Sequence, residues 1–415
     1  MSLDRKMLII SPRFLFPVDS GGKIRTTQIL RGMKGGAFEI TLVSPAPPGA
    51  AEVYSAELGD VCDHFFWWPE SNWKRFPLLQ RLWNLLSAIP ISVASDRSRP
   101  GKKIVTEYMS RDPDITVFDF PHAGVLGWDE CTTVRAVFTH NVETEIFERH
   151  MQASSGLRRL IWANQRAKME KFEYRMLSDA DGVITVSQRD AGTFRERFDV
   201  TNTNVIQTGV DLDFHNYSEN PQNHRLVFTG AMDWLANIDA IQWFGEMIWM
   251  QIVAAVPDCS MDIVGRGPPQ SLISQAAEQQ LSWNFTGFVD DVRDYVHSAA
   301  IFVIPLRVGG GTRLKVFEAM AMGCPVVSTS IGVEGLDVVD GEHYLRADNP
   351  EEFAEKTVQL LFNPQLRHNI AGAARQYVES NCSFQSVARK FEGICLDIIE
   401  RSCRTAIQPV LRHST

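Results

Sequence analysis

AIFVIPLRVGGGTRLKVFEAMAMGCPVVST, residues 300–329, contains a strand, a glycine turn, a helix and a second strand in direct succession. The apolar run AIFVIPL (300–306) reads as the first strand, and Val316, Phe317 and Met320 of the following helix face a core. Gly323-Cys324-Pro325 ends that helix, and PVVST (325–329) is the next strand. Strand, helix and strand in this order predict a βαβ unit and a parallel sheet. Between strand and helix stand Gly309, Gly310, Gly311 and Thr312. Three successive glycines lose much conformational freedom on folding, so a backbone packed closely against a ligand is the economical explanation. Arg313 and Lys315 fall in the first helical turn, where cations oppose the helix dipole. A bound anion would resolve that conflict. Glu318, one turn beyond Leu314, lies near the same mouth and can accept hydrogen bonds from sugar hydroxyls. Ligands bind at such carboxyl ends of parallel strands.

The same alternation runs outward in both directions. MLII (7–10), FEITLV (38–43), ITVF (115–118), RAVFTH (135–140), GVITVS (182–187) and NVIQTG (204–209) are separated by helix-length segments. After the polar stretch DFHNYSENPQNHR (213–225) it restarts with LVFTG (226–230), MDIVG (261–265) and NFTGF (284–288). This predicts two α/β domains, residues 1–208 and 209–383, with a helix over 384–402 returning to the first. The segment 158–180 reads as one long capping helix. Gly21-Gly22 follow the first strand and open a helix, so their backbone can approach an anion. The pattern is not G-x-G-x-x-G and no acidic residue follows at the proper offset, which disfavours a nicotinamide-dependent dehydrogenase.

A chain of 415 residues holds two or three domains, and 44% hydrophobic with 22% charged residues is a globular composition. No apolar run reaches the roughly 18 residues that cross a bilayer, and MSLDRKMLIISPRF reads as a first strand and not as a signal peptide. Seven cysteines with wide gaps and no C-x-x-C pair predict neither disulfides nor zinc, and a reducing cytosolic setting. The net charge of −9 speaks against nucleic acid. It is uneven: residues 1–216 carry −1 and residues 217–415 carry −8. Residues 72–111 hold eight Lys or Arg against Asp96 and Glu107, beside Trp67, Trp68, Trp73 and Trp83. Such a patch suits an anionic membrane surface or a lipid-diphosphate acceptor; the competing reading is a packed helix with snorkelling cations. The acidic segments DLD (211–213) and DDVRD (290–294) fall at helix starts or loops and are not read as metal sites.

LVFTGAMDW, VGRGP, FTGFVDDVRDYVHSAAIFVIPL, GGGTRLKVFEAMAMGCPVVST and EGL, in this order, resemble the C-terminal half of the GT-B glycosyltransferases of family four. VIQTGVDLDFH resembles that family's interdomain strand, which ends there in Phe. The resemblance implies two Rossmann-like domains around an interdomain cleft, a retaining reaction, a nucleotide-diphosphate sugar as co-substrate, and no metal or other cofactor. It assigns donor binding to Gly21, Gly22, Gly230, Arg266, Gly309, Gly310, Gly311, Thr312 and Leu314. Arg313 and Lys315 would hold the diphosphate, and Glu318, the second glutamate of the Glu-x7-Glu motif, the ribose. Two departures stand out: the first glutamate's position is Gly310, and the Arg-x4-Lys pair is absent from AMDWLANIDAI. In the first domain His122 matches the family's active-site histidine and His140, after the next strand, is read with it as catalytic, while Asn141 and Glu143 stand on the acceptor side. A saccharide or lipid-linked acceptor and assembly of polysaccharide or glycoconjugate follow as expectations, in the cytoplasm or at the inner membrane face. The alternative is a non-catalytic GT-B subunit that binds a sugar nucleotide or a partner.

Overall fold

The computed structural model describes residues 5–70, 87–152, 154–219, 221, 223–308 and 313–412. The chain divides into two units, residues 1–207 with 387–415, and residues 208–386.

The first unit is built on seven strands: β1 (Arg5–Ile10), β2 (Phe38–Ala46), β3 (His64–Pro69), β4 (Ile115–Asp119), β5 (Val134–Phe138), β6 (Gly182–Thr185) and β7 (Thr203–Val205). All pair in parallel in the order β3-β2-β1-β4-β5-β6-β7. Successive side chains of a strand point to opposite faces. Met7 and Ile9 therefore enter one core and Leu8 and Ile10 the other. Burial on both faces is why these strands appear in the sequence as unbroken apolar runs. Helices α1 (Gly21–Met33), α2 (Arg99–Met109), α3 (Glu143–Gln152) and α4 (Gly156–Ser178) cover the sheet.

The second unit repeats the plan with β8 (Arg225–Thr229), β9 (Ser260–Val264), β10 (Trp283–Gly287), β11 (Ile301–Ile304), β12 (Val326–Ser328) and β13 (Leu345–Arg346). Their order is β10-β9-β8-β11-β12-β13, again parallel. The chain order reverses between β1 and β4 in one sheet and between β8 and β11 in the other, which is where α/β sheets open for ligands. Helices α5 (Leu235–Trp243), α6 (Leu314–Ala321) and α7 (Pro364–Asn381) flank this sheet. Val316, Phe317 and Met320 of α6 are buried with Phe302 and Ile304 of β11, as their spacing predicts.

The last helix, α8 (Phe384–Arg412), joins the first unit's core through Val387, Ala388, Phe391, Ile394, Cys395, Ile398 and Ile399. Its packing is close enough to dictate a residue on the sheet. A Cβ at Gly182 on β6 would lie 2.3 Å from Cδ1 of Ile398, so only glycine fits.

Strand β3 is absent from the sequence reading, which took its tryptophans as part of a surface patch. Trp68 is 3% exposed, and a Cβ at Gly101 of α2 would fall 2.7 Å from its indole. It is a core residue. Within the described part of the basic stretch, Lys102 pairs with Glu130 at 2.6 Å and Arg111 with Glu107 at 3.1 Å. Trp73 and Trp83 lie outside the described residues.

Candidate active site

In the second unit the site forms at the carboxyl end of β8. Gly230 follows this strand, and a Cβ there would meet Asn237 Nδ2 at 2.7 Å and Lys315 Nζ at 2.9 Å. A side chain at position 230 would crowd the Asn237 amide and the lysine amine and push them aside. Lys315 Nζ donates to the Thr229 carbonyl at 2.7 Å and to Asn237 Oδ1 at 3.4 Å, and lies 4.4 Å from the centroid of the Phe228 ring. Asn237 is oriented by donating from Nδ2 to the Ala231 carbonyl at 2.8 Å. Burial lowers the Lys315 ammonium to about 8, partly opposed by the carboxylate of Glu318. Glu318 lies one turn on along α6, so both side chains share a helix face. Burial raises its carboxyl, while His215 and Lys315 oppose that shift.

Arg313 is anchored from another side. Its guanidinium is buried, donating from Nε to the Ile331 carbonyl at 3.1 Å, with Nη2 at 3.7 Å from Glu334. Arg313, the residue just before α6, is expected with Lys315 on a diphosphate; its charge acts on Lys315 and helps to lower that ammonium. Arg313 ties α6 to the turn after β12, whereas Lys315 reaches β8. Arg266 is exposed and pairs with Asp233 at 3.1 Å. Leu314 is half-buried at the start of α6, and Gly309, Gly310, Gly311 and Thr312 lie outside the described residues. The acidic segments have internal partners: Asp211 Oδ1 accepts from the backbone N–H groups of Asp213 and Phe214, and Asp291 from Arg293.

In the first unit the carboxyl ends of β4 and β5 carry a buried network that the sequence reading missed. Asp119, the last residue of β4, accepts from Ser11 Oγ at 3.0 Å, Thr26 Oγ1 at 3.1 Å and His140 Nε2 at 2.8 Å. The Arg25 guanidinium has only donors. Its Nη1, 2.8 Å from His140 Nδ1, therefore makes that nitrogen the acceptor and fixes the proton on Nε2. Burial lowers Arg25 to about 10 and also lowers His140. Both ring nitrogens of His140 are thus taken inside the unit, and Phe120 stacks on the ring at 4.0 Å. The expected sugar contact by His140 does not fit this arrangement. An acid ending an apolar strand, in FDFP, was the available signal for the network.

His122 differs. It is buried in the 3-10 turn Pro121–Leu126, burial and Arg13 lower it to about 4, and Nε2 has no hydrogen-bond partner among the described residues. Between β4 and this turn, Phe120 adopts φ +70°, which is uncommon for a residue with a side chain. The same ring explains Gly22, where a Cβ would come within 2.8 Å of it, whereas a Cβ at Gly21 would meet nothing within 4 Å. Asn141 is exposed. Glu143 is buried, and desolvation raises its carboxyl to about 7 against the pull of Arg13. The start of α3 is capped by a different acid. Glu173 of α4 accepts from the backbone N–H groups of Glu143 and Thr144 at 2.8 and 3.0 Å and from Thr144 Oγ1 at 2.5 Å.

Residues 20–214 match the family described as Glycosyltransferase Family 4, and residues 223–363 match Glycosyl transferases group 1. The chain is 31% identical over 142 residues to the phosphatidyl-myo-inositol mannosyltransferase of Mycobacterium leprae, covering 32% of this chain and 38% of that protein. It is 25% identical over 173 residues to a 44.6 kDa protein of the cps region of Klebsiella pneumoniae, covering 40% and 44%. The chain thus spans less than half the length of these curated relatives. Among solved structures, sucrose-phosphate synthase from Thermosynechococcus elongatus superposes with a TM-score of 0.64 at 16% identity, covering 95% of this chain and 99% of that one. Anabaena HepE in complex with UDP-glucose gives 0.57 at 14% identity, covering 97% and 100%. These structural likenesses speak for the fold. Two parallel α/β sheets and family matches over both units agree: the chain belongs to the GT-B glycosyltransferases of the family-four type.

Proposed function

We propose that the protein is a retaining hexosyltransferase that moves a sugar from a nucleotide-diphosphate donor to a hydroxyl acceptor, in polysaccharide or glycoconjugate assembly. The observation that carries this reading is the Lys315 amine held at the end of β8, where a side chain at Gly230 would crowd it. Lys315 would meet the donor diphosphate and Glu318 the ribose. As the anomeric carbon–oxygen bond breaks, the ammonium stabilises the charge gathering on the leaving phosphate. The acceptor hydroxyl attacks from the same face, forms the new glycosidic bond and passes its proton to a phosphate oxygen. His122, buried and without a partner on Nε2 among the described residues, would contact a sugar hydroxyl in the neutral form that its burial favours.

The test is incubation with a panel of nucleotide sugars, with and without excess EDTA. We expect slow donor hydrolysis for one donor, unchanged by the chelator, because the protein's own cation and backbone supply the positive field. Full donor occupancy without turnover would favour a binding subunit, and loss of activity restored by magnesium or manganese would bring a metal into the reaction.

A lipid-linked acceptor is the second part of the proposal. It is motivated by the mannosyltransferase relative, whose name specifies a phosphatidylinositol, and by the local charge of +6 over residues 72–111. Cytoplasmic residence at a membrane face follows from the same reading. Flotation should occur with anionic vesicles at low salt and disappear at high salt. No flotation with either vesicle type leaves a soluble acceptor.

A further inference from the structure

Helix α4 is too long for the sheet it covers. Its 23 residues span about 34 Å, against about 13 Å for the four residues of β6 that follow it. Its last turn leads into β6, where Asp181 N–H donates to the Arg135 carbonyl at 2.9 Å beside the start of β5, so α4 runs toward the amino edge of the sheet. Glu173 receives the N–H groups of Glu143 and Thr144, which follow β5, and so marks the level of the carboxyl edge. The seventeen residues of α4 before Glu173 therefore run on for about 25 Å beyond that edge. The end of α3 accompanies them: Trp162 stacks on His150 at 4.6 Å and meets Phe147 edge-on at 5.7 Å. Buried positions of α4 begin only at Gln165, so the first turns contribute nothing to a core.

Those turns are nevertheless apolar. Leu157 is 75% exposed, Leu160 67% and Ile161 38%, and their spacing puts them on one helix face. Arg158 and Arg159 are exposed around the same turn and form no ion pair among the described residues. From 149 to 169 the sequence holds five Lys or Arg and no Asp or Glu. Acids of the neighbouring turns reach only the flanks, where Glu145 pairs with Arg149 at 3.3 Å and Glu170 with Arg166 at 3.2 Å. We infer that the tip of the α3–α4 hairpin is a membrane-docking surface, which buries Leu157, Leu160 and Ile161 in the interface of an anionic bilayer with Arg158 and Arg159 among the headgroups. It rests on the membrane-face reading above and says which face meets the membrane. A bilayer interface takes leucines and guanidinium groups at once, because the long arginine stem lies along apolar surface while its head stays wet. A second copy of the tip would set unpaired arginines against arginines, and three apolar side chains fall short of the roughly 800 Å² that a stable interface takes from each partner. The hairpin rises from the sheet edge that also carries the His122 turn after β4, so docking turns the acceptor side toward the bilayer.

The experiment is flotation of the intact chain with phosphatidylcholine vesicles, with and without phosphatidylglycerol, at low and high salt. Wild type is compared with L157S/L160S, R158Q/R159Q and, from the basic stretch 72–111, K102Q/K103Q. R158Q/R159Q should bind the anionic vesicles about thirtyfold more weakly, the size expected of two basic residues at such a surface, with a shallower salt dependence. L157S/L160S should lose roughly tenfold or more and keep the salt dependence, since full burial of one leucine is worth about that factor. K102Q/K103Q should float as wild type does. The hairpin variants should also melt as wild type does, because the replaced side chains are exposed. If wild type floats and both hairpin variants float equally well, the inference is overturned and the membrane reading passes to residues 72–111. If wild type floats with neither vesicle, the inference and that reading fall together. A wild-type dimer in sedimentation equilibrium that L157S/L160S dissociates, without flotation, gives the tip to a second copy and likewise overturns the inference.

Discussion

Lys315 shows how a residue's neighbours decide its use. In water its ammonium titrates near 10.5, but in the folded chain burial brings it to about 8. Between those values the unfolded chain binds more protons than the native one, so the stability of the ligand-free protein rises with pH across that window. K315M should lack this slope in thermal melts from pH 8 to 10, and should melt higher than wild type at pH 7. It should also lose roughly ten- to hundredfold in donor affinity, the size of one charge-assisted phosphate contact. Unchanged affinity would move the phosphate site away from β8. That Lys315 and Glu318 share a helix face was legible in the sequence, because spacing along one helix is a local property. His140 was beyond reach: its partners Arg25 and Asp119 come from other elements, and no spacing within VFTHN reports them.

The helix α3 illustrates a dependence between elements that sequence alone does not show. Its first N–H groups are satisfied by Glu173 on the neighbouring helix and not by a residue of its own. E173A leaves those donors buried without a partner, at a cost of about 1–3 kcal/mol each in stability. The measurement is a urea midpoint at constant m-value, with E173Q recovering part of the loss because its carbonyl still accepts. A midpoint equal to wild type would mean that water serves the helix start equally well. Among the strands, those with alternating or unbroken apolar runs were found from sequence. β3 was not, because HFFWWP reads equally well as an aromatic surface until Gly101 is seen against Trp68.

At the scale of the molecule, the second unit enters and leaves the chain at one place. Val210 pairs with Ser383, Val210 N–H donates to Cys382 at 2.7 Å, and Phe384 N–H donates to Val210 at 3.1 Å. Residues 208–386 should therefore fold when expressed alone, and residues 1–207 joined to 387–402 by a short glycine linker should fold without them. Residues 1–207 alone should not, because Phe391, Cys395 and Ile398 complete their core. A cooperative melt of that fragment would refute the expectation. The consequence reaches to the ribosome. The half of the protein that is made first cannot be finished until the last helix has emerged, so during synthesis it waits, its sheet uncovered on one side, while the later half folds ahead of it. A chaperone meeting this chain in mid-translation would find its binding surface where α8 later lies.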